Sequence, residues 1–351
     1  RALELVVDLD LRREGSDRKL QLSATGDGGL TVSIVGAGIG NPLDLSRFAG
    51  SLRGRVLSDD MGSISEFFGT DMSGTSDLLF WTEASAGQAS TVFEVTGDAL
   101  FPGSDARLPR MAFSVNGTAT LDSNESWVNI GQASVTLEQG PVQFNDINVG
   151  LTPTDWELLI NDLDLASSAQ LLLEAGLIPD SVSEPLAAAS ISGTINALSV
   201  GGSLFGESIQ RVAVDFDDIF VREDTPFPGV SGLSGSLMLS GNVGQLQVNS
   251  SDLTLGIPTQ FPDPMQLGNV TAVIDFDLTD DQIVIRNGRA AARAEDFEAM
   301  ALLTGEIPFS SASGRSPMLN VVLGSDRAPA SRALAFTPMT IDPDAYRWMQ
   351  T

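Results

Sequence analysis

The chain is written in short runs where apolar and polar residues alternate. Leu3, Leu5, Val7, Leu9 and Leu11 take every second position of LELVVDLDL. Leu20, Leu22 and Ala24 do the same in LQLSATG, and Leu30, Val32 and Ile34 in LTVSIVG. The polar, Gly-containing stretches REGSDR and GDGG separate these runs. A period of two with such punctuation predicts antiparallel strands joined by tight turns, with one apolar side.

The unit recurs. At 111–137 Met111, Phe113 and Val115 share a face with Ala119 and Leu121, and Val128, Ile130, Ala133, Val135 and Leu137 continue it. In GSLMLSGNVGQLQVNSSDLTLGIP, residues 235–258, the apolar positions are Leu237, Leu239, Leu246, Val248, Leu253, Leu255 and Ile257. Ser, Gln, Asn and Thr fill the places between them. At 269–294 Val270, Ala272, Ile274, Phe276 and Leu278 share a face, and Ile283 and Ile285 return to it. Three runs share a loose head: VNGTATL at 115–121, ISGTINAL at 191–198 and LSGSLML at 233–239. The repeat is degenerate and has no fixed period of the known solenoid kinds.

Helical signals are few. Ser167 and Gln170 in SSAQLLLEAGLIP form a capping box, with Leu171, Leu172 and Ala175 as an apolar stripe and Gly176 and Pro179 as stop signals. Ser63 and Glu66 form a second box that opens a turn or two, and Asp342 with Pro343 reads as a helix start. The expected organisation is a meander segment over 1–165, a short helix and connector over 166–190, and a second meander segment over 191–351 ending in a short helix.

Composition removes most chemistry. The 351 residues include no Cys and no His. That excludes thiol nucleophiles, disulfides, the usual zinc sites and His-based triads. Lys and Arg total 19 against 46 Asp and Glu, a formal charge of −27. Nucleic acid is repelled by such a surface. No run of about 18 apolar residues is present, so no helical membrane span is predicted. Starting at Arg1, without Met or a signal peptide, the sequence reads as a piece of a longer protein or a processed form.

The motifs that remain are weak. GAGIGN at 36–41 follows a strand as a dinucleotide loop does, but Asn41 stands where the third glycine belongs and no βαβ context follows. A turn is expected there. Asp215, Asp217 and Asp218 in VDFDDIF offer paired carboxylates. Alternation with Val214, Phe216 and Ile219 puts them on the solvent side of a strand. The acidic residues lack the density of a calcium loop. The sequons at Asn116, Asn124, Asn249 and Asn269 matter only in a eukaryotic secretory route. No catalytic residue, metal or cofactor is expected.

The apolar face has two physical fates. Two such sheets can close on one another as a sandwich, the architecture of a structural or adhesive surface protein. Alternatively, one meander can curl so that its face lines an open trough. An acidic, glycan-active β-protein is a further alternative.

Three passages carry a resemblance: residues 155–200, from DWELLINDLDL to NALSV; SGLSGSLMLSGNVGQLQVNSSDLTLGIPTQF at 231–261; and PMTIDPDAYRWMQ at 338–350. In this order they resemble the YhdP branch of the AsmA-like proteins, relatives of TamB. The stretch PASRALAFT at 329–337 departs from that pattern. The resemblance implies a mainly β fold: a long, twisted antiparallel sheet curled into an open hydrophobic groove, with a few short helices. It implies a periplasmic protein tethered to the inner membrane by a segment outside this sequence. Its partners would be phospholipid acyl chains, passed between inner and outer membranes. On that reading the groove lining comprises Leu237, Leu239, Leu246, Val248, Leu253, Leu255, Ile257, Val270, Ile274, Phe276, Ile283 and Ile285.

Overall fold

The structure, a computed structural model, describes residues 5–26, 29–41, 47–60, 73–85, 87–100, 111–122, 124–137, 140–174, 190–205, 209–222, 229–258, 261, 263–279, 281–308 and 318–327. The chain forms two compact units.

The first unit is built on β1 (Leu5–Glu14), β2 (Asp17–Gly26), β3 (Thr31–Ile39), β4 (Ala49–Ser58), β5 (Ser73–Ser85), β6 (Gln88–Leu100), β7 (Met111–Leu121), β8 (Ser126–Leu137), β9 (Gly140–Leu151) and most of β10 (Asp155–Asp164). Each strand pairs antiparallel with the next in sequence. The second unit is built on β11 (Ser192–Ser203), β12 (Ile209–Val221), β13 (Gly229–Ser240), β14 (Val243–Gly256), β15 (Met265–Leu278), β16 (Gln282–Ala294), β17 (Phe297–Pro308) and β18 (Met318–Arg327). It too is a simple antiparallel meander. Neither is a closed barrel or a face-to-face sandwich: in each, one open sheet carries the alternating pattern.

The alternation has the expected result. On β2 to β4 the apolar positions Leu20, Leu22, Ala24, Val32, Ile34, Leu52 and Val56 turn inward, and their neighbours are exposed. Small clusters seal the sheet locally. Met111, Leu137 and Val142 pack together with Phe144 and Leu171 against them. Phe48, fully buried, packs with Ala84, Ala89 and Leu52.

One helix is present among the described residues, α1 (Leu165–Glu174). It starts two residues before the expected capping box. Asp164 caps it instead: its Oδ1 accepts the Ser167 N–H at 2.8 Å, and the Ser168 hydroxyl donates to the Asp164 carbonyl at 2.6 Å. Asp164 combines a strong capping side chain with the last position of a strand, so it wins over Ser167. The stop signals at Gly176 and Pro179, the box at Ser63 and the helix start at Asp342 lie outside the described residues.

GAGIGN is corrected in part. Gly36 and Gly38 belong to β3 rather than to a turn. Both point inward where no side chain fits: a Cβ at Gly36 would stand 2.2 Å from the Leu52 side chain, and one at Gly38 2.4 Å from the Ala49 carbonyl. These glycines serve close packing within the sheet.

Candidate functional site

The feature with functional reach is the inward face. In the second unit, register lines up three rows that cross the sheet. The first runs Leu198, Val214, Leu237, Leu246, Ile274, Gly288, Leu303, Val321. The second runs Phe216, Gly235, Val248, Ala272, Ala290, Ala301. The third runs Val212, Leu239, Gly244, Phe276, Ile285, Gly305, Leu319. None of the three contains a charged or polar residue.

Eleven of the twelve sequence-selected residues lie on strands and fall on this face; Ile257 lies one residue beyond the end of β14. Val248, Leu253 and Val270 are buried and belong to one cluster, with Leu246 packed against it. Leu237, Leu239, Leu255, Ile257, Ile274, Phe276, Ile283 and Ile285 are, like Leu246, only half-buried. Residues in a closed core bury more deeply than this. The face is thus apolar, continuous and incompletely covered within its own unit. In the first unit an equivalent row runs Leu9, Leu22, Ile34, Gly54, Phe80, Phe93, Gly117, Ile130, Ile147.

Glycines shape the face. Gly54 stands opposite Phe80, Gly117 opposite Phe93, Gly97 opposite Phe113 and Gly244 opposite Phe276. A Cβ at Gly54 would lie 2.5 Å from the Phe80 ring, and one at Gly244 2.2 Å from the Phe276 ring. The end of each ring therefore occupies the space that a side chain would take at its partner glycine, which covers the glycine backbone with aromatic surface. The face is made smooth as well as apolar. Sequence reading passed over these glycines because their meaning depends on which residue stands opposite.

Bulges keep the face in phase. Val248 and Leu253 are an odd number of residues apart, yet Leu253 and Leu255 share the face of Leu246 and Val248. The ladder slips between Ser250 and Leu253 to make this possible. A similar slip follows Ile285. Asp218 has φ 50°, a left-handed conformation that Asp tolerates better than most side chains. It lets Phe216 and Ile219 face the same way. Its N–H donates to Ser234 Oγ at 3.0 Å, and that hydroxyl donates to Asp217 Oδ1 at 2.6 Å. Ser250, itself buried, accepts the Ser234 N–H at 2.9 Å. The Ser234 and Ser250 hydroxyls thus accept backbone N–H groups at the bulge in place of ladder carbonyls, and the Asp217 carboxylate fixes the Ser234 hydroxyl. Asp146 and Asp162 adopt the same conformation, φ 53° and 52°. The phrases FNDI, INDL and FDDI share a signature; sequence reading took the last as an acidic pair and passed over the other two. Among the described residues no group of acidic side chains is placed to hold a metal ion.

No helix among the described residues is long and apolar enough to cross a membrane. No curated protein and no solved structure matches the chain. A family model described as YhdP protein matches residues 36–351. Since the match takes in well over half of the chain, from within β3 onward, the chain belongs to the YhdP protein family.

Proposed function

We propose that this chain conducts phospholipid, with acyl chains lying on the inward apolar faces and the polar outward faces in water. The observation that carries this reading is the half-exposed state of an unbroken apolar face. Each CH₂ that an acyl chain buries there gains about 0.8 kcal/mol. Aliphatic rows repeated from strand to strand hold a chain without fixing its position along them, so the lipid can slide. The rings of Phe80 and Phe276 fill the gaps at Gly54 and Gly244, which smooths the path for that sliding. Membership of the family supports an envelope setting: a periplasmic segment, tethered to the inner membrane by another part of the protein, that serves transfer between inner and outer membranes. The chain is read as a conduit and not an enzyme. The acidic residues that invite catalysis at 215–218 are committed to a bulge or to the solvent side.

Two measurements test the proposal. Photoreactive residues at 239, 248, 255 and 274, on the inward face, should crosslink to phospholipid. Those at 240, 247, 254 and 275 should not, and equal labelling of both sets would overturn it. Leu255→Asp provides the second. In an open trough the carboxylate reaches water when lipid is absent, so melting should stay near normal while lipid no longer co-purifies in native mass spectrometry. An unpaired carboxylate among acyl chains costs several kcal/mol. A large loss of melting temperature points instead to a closed core.

A further inference from the structure

Two rows on the outward faces repeat one chemistry. In the first unit Val35, Arg53, Trp81 and Val92 stand opposite one another on β3, β4, β5 and β6. In the second, Val273, Arg289, Leu302 and Val322 do so on β15, β16, β17 and β18. Both read apolar, Arg, apolar, apolar. The apolar members are open to solvent: Trp81 is 53% exposed, Val92 60%, Leu302 54% and Val322 66%. The first row lines a concavity of about 700 Å³, and Val273, Arg289 and Leu302 line one of about 860 Å³.

The arginines differ from their neighbours. Arg55 pairs with Asp77, Arg12 with Asp10, Arg286 with Asp277 and Arg293 with Glu298. Arg53 and Arg289 form no ion pair among the described residues. In a chain with 46 acidic residues, two unpaired guanidinium groups at the same place in two apolar rows are a specific invitation to an anion with apolar flanks.

Geometry selects the occupant. Row members are one strand spacing apart, about 4.8 Å. Side chains on one face of an α-helix recur every turn, about 5.4 Å. A helix laid across the strands sets one side chain over each member, and over three intervals the mismatch grows to only about 2 Å. Lone inorganic anions would leave the apolar members uncovered. We infer that each outward row docks an amphipathic helix of a partner protein, with an acidic residue over Arg53 or Arg289 and apolar residues over the other three. The site stands on the face opposite the proposed lipid track and does not depend on it.

The test uses the full chain and a synthetic fluorescent peptide of about four helical turns. Its apolar face presents Leu, Glu, Leu, Leu, one per turn, and a control carries Lys in place of Glu. Anisotropy should show the Glu peptide binding the native chain and weakening about tenfold with the double variant Arg53→Glu/Arg289→Glu. The Lys peptide should show the reverse preference. If the double variant misfolds by circular dichroism, Arg53→Gln/Arg289→Gln takes its place and should weaken the Glu peptide alone. Absence of binding, or equal binding of both peptides to both proteins, overturns the inference. So does loss of binding to anionic phospholipid vesicles in the variant with peptide binding unchanged, which would assign the rows to a lipid surface.

Discussion

The two units use the same meander, but the first seven strands and the last eight keep their faces by different means. From β1 to β7 every residue has its partner, and six successive pairings show no slip. From β11 to β18 all seven pairings slip at least once. The even half relies on unbroken alternation and on glycines under aromatic rings. The slipped half inserts extra residues and then repairs the ladder with Asp in a left-handed conformation and with Ser side chains. Bulges bend strands and raise local twist. The lesson is that apolar continuity across a long sheet depends on the phase of each strand. Either perfect period or compensated error will maintain it.

The largest effect should come from deleting Asp218. The deletion restores a simple period in β12 and turns Ile219 and Val221 to solvent. Both are half-buried, so each contributes less than the roughly 1.5–3 kcal/mol of full burial; with the hydrogen bonds to Ser234 and Ser250 lost as well, urea unfolding should show a loss of about 4 kcal/mol. Unchanged stability would mean that the bulge does not hold the phase.

Next come aspartates placed on the two faces. Val248→Asp enters the buried cluster of β14 and β15 and should cost about 3 kcal/mol, from an unpaired carboxylate in apolar surroundings. Val92→Asp, on the outward face of β6, should change stability by less than about 0.5 kcal/mol in the same assay. Similar losses at both sites would remove the distinction between faces.

A smaller contrast separates bulge from ladder. At Asp218, Gly should be tolerated and Val should cost about 1–2 kcal/mol, because the left-handed conformation excludes a branched side chain. At Glu94, in the unbroken β6, the order should reverse, with Val above Gly by about 1 kcal/mol. Thermal melting of the four variants gives the comparison directly.

The smallest effect concerns Arg55 and Asp77. The Arg55 guanidinium hydrogen-bonds the Asp77 carboxylate at 2.9 and 2.6 Å and holds its pKa below the usual carboxylate range, against the opposing effect of burial. Because the folded pKa is depressed, the contribution is present above about pH 4 and fades as pH falls through the lower folded value. Asp77→Asn should therefore lower the melting temperature slightly at neutral pH and leave it unchanged in strong acid. The pair is solvent-exposed, which keeps the effect small.

Much of this was legible in the chain. LELVVDLDL, LQLSATG and LTVSIVG announce strands because alternation states both the element and its buried side. Leu237, Leu239, Leu246 and Val248, and again Val270, Ile274 and Phe276, share a face for the same reason. The phase change between Val248 and Leu253 was equally visible but has no meaning until a partner strand fixes the register. Gly54 and Gly244 were illegible because the residues that explain them, Phe80 and Phe276, are remote in sequence. Asp164 displaced Ser167 as the cap because a strand ends there, a boundary that periodicity locates only to within a few residues.

In each unit every strand pairs with its immediate predecessor, and this bears on how the protein forms. No connection between paired strands exceeds fourteen residues, so the entropic cost of adding a strand stays modest along the chain. A newly emerged hairpin can dock as soon as it is made, without waiting for a distant partner, and assembly proceeds in the direction of synthesis. Growth by this rule has no final closing step. Within such a meander, gain or loss of a whole hairpin leaves every other pairing intact, so the length of the track can change over evolution without redesign of the fold.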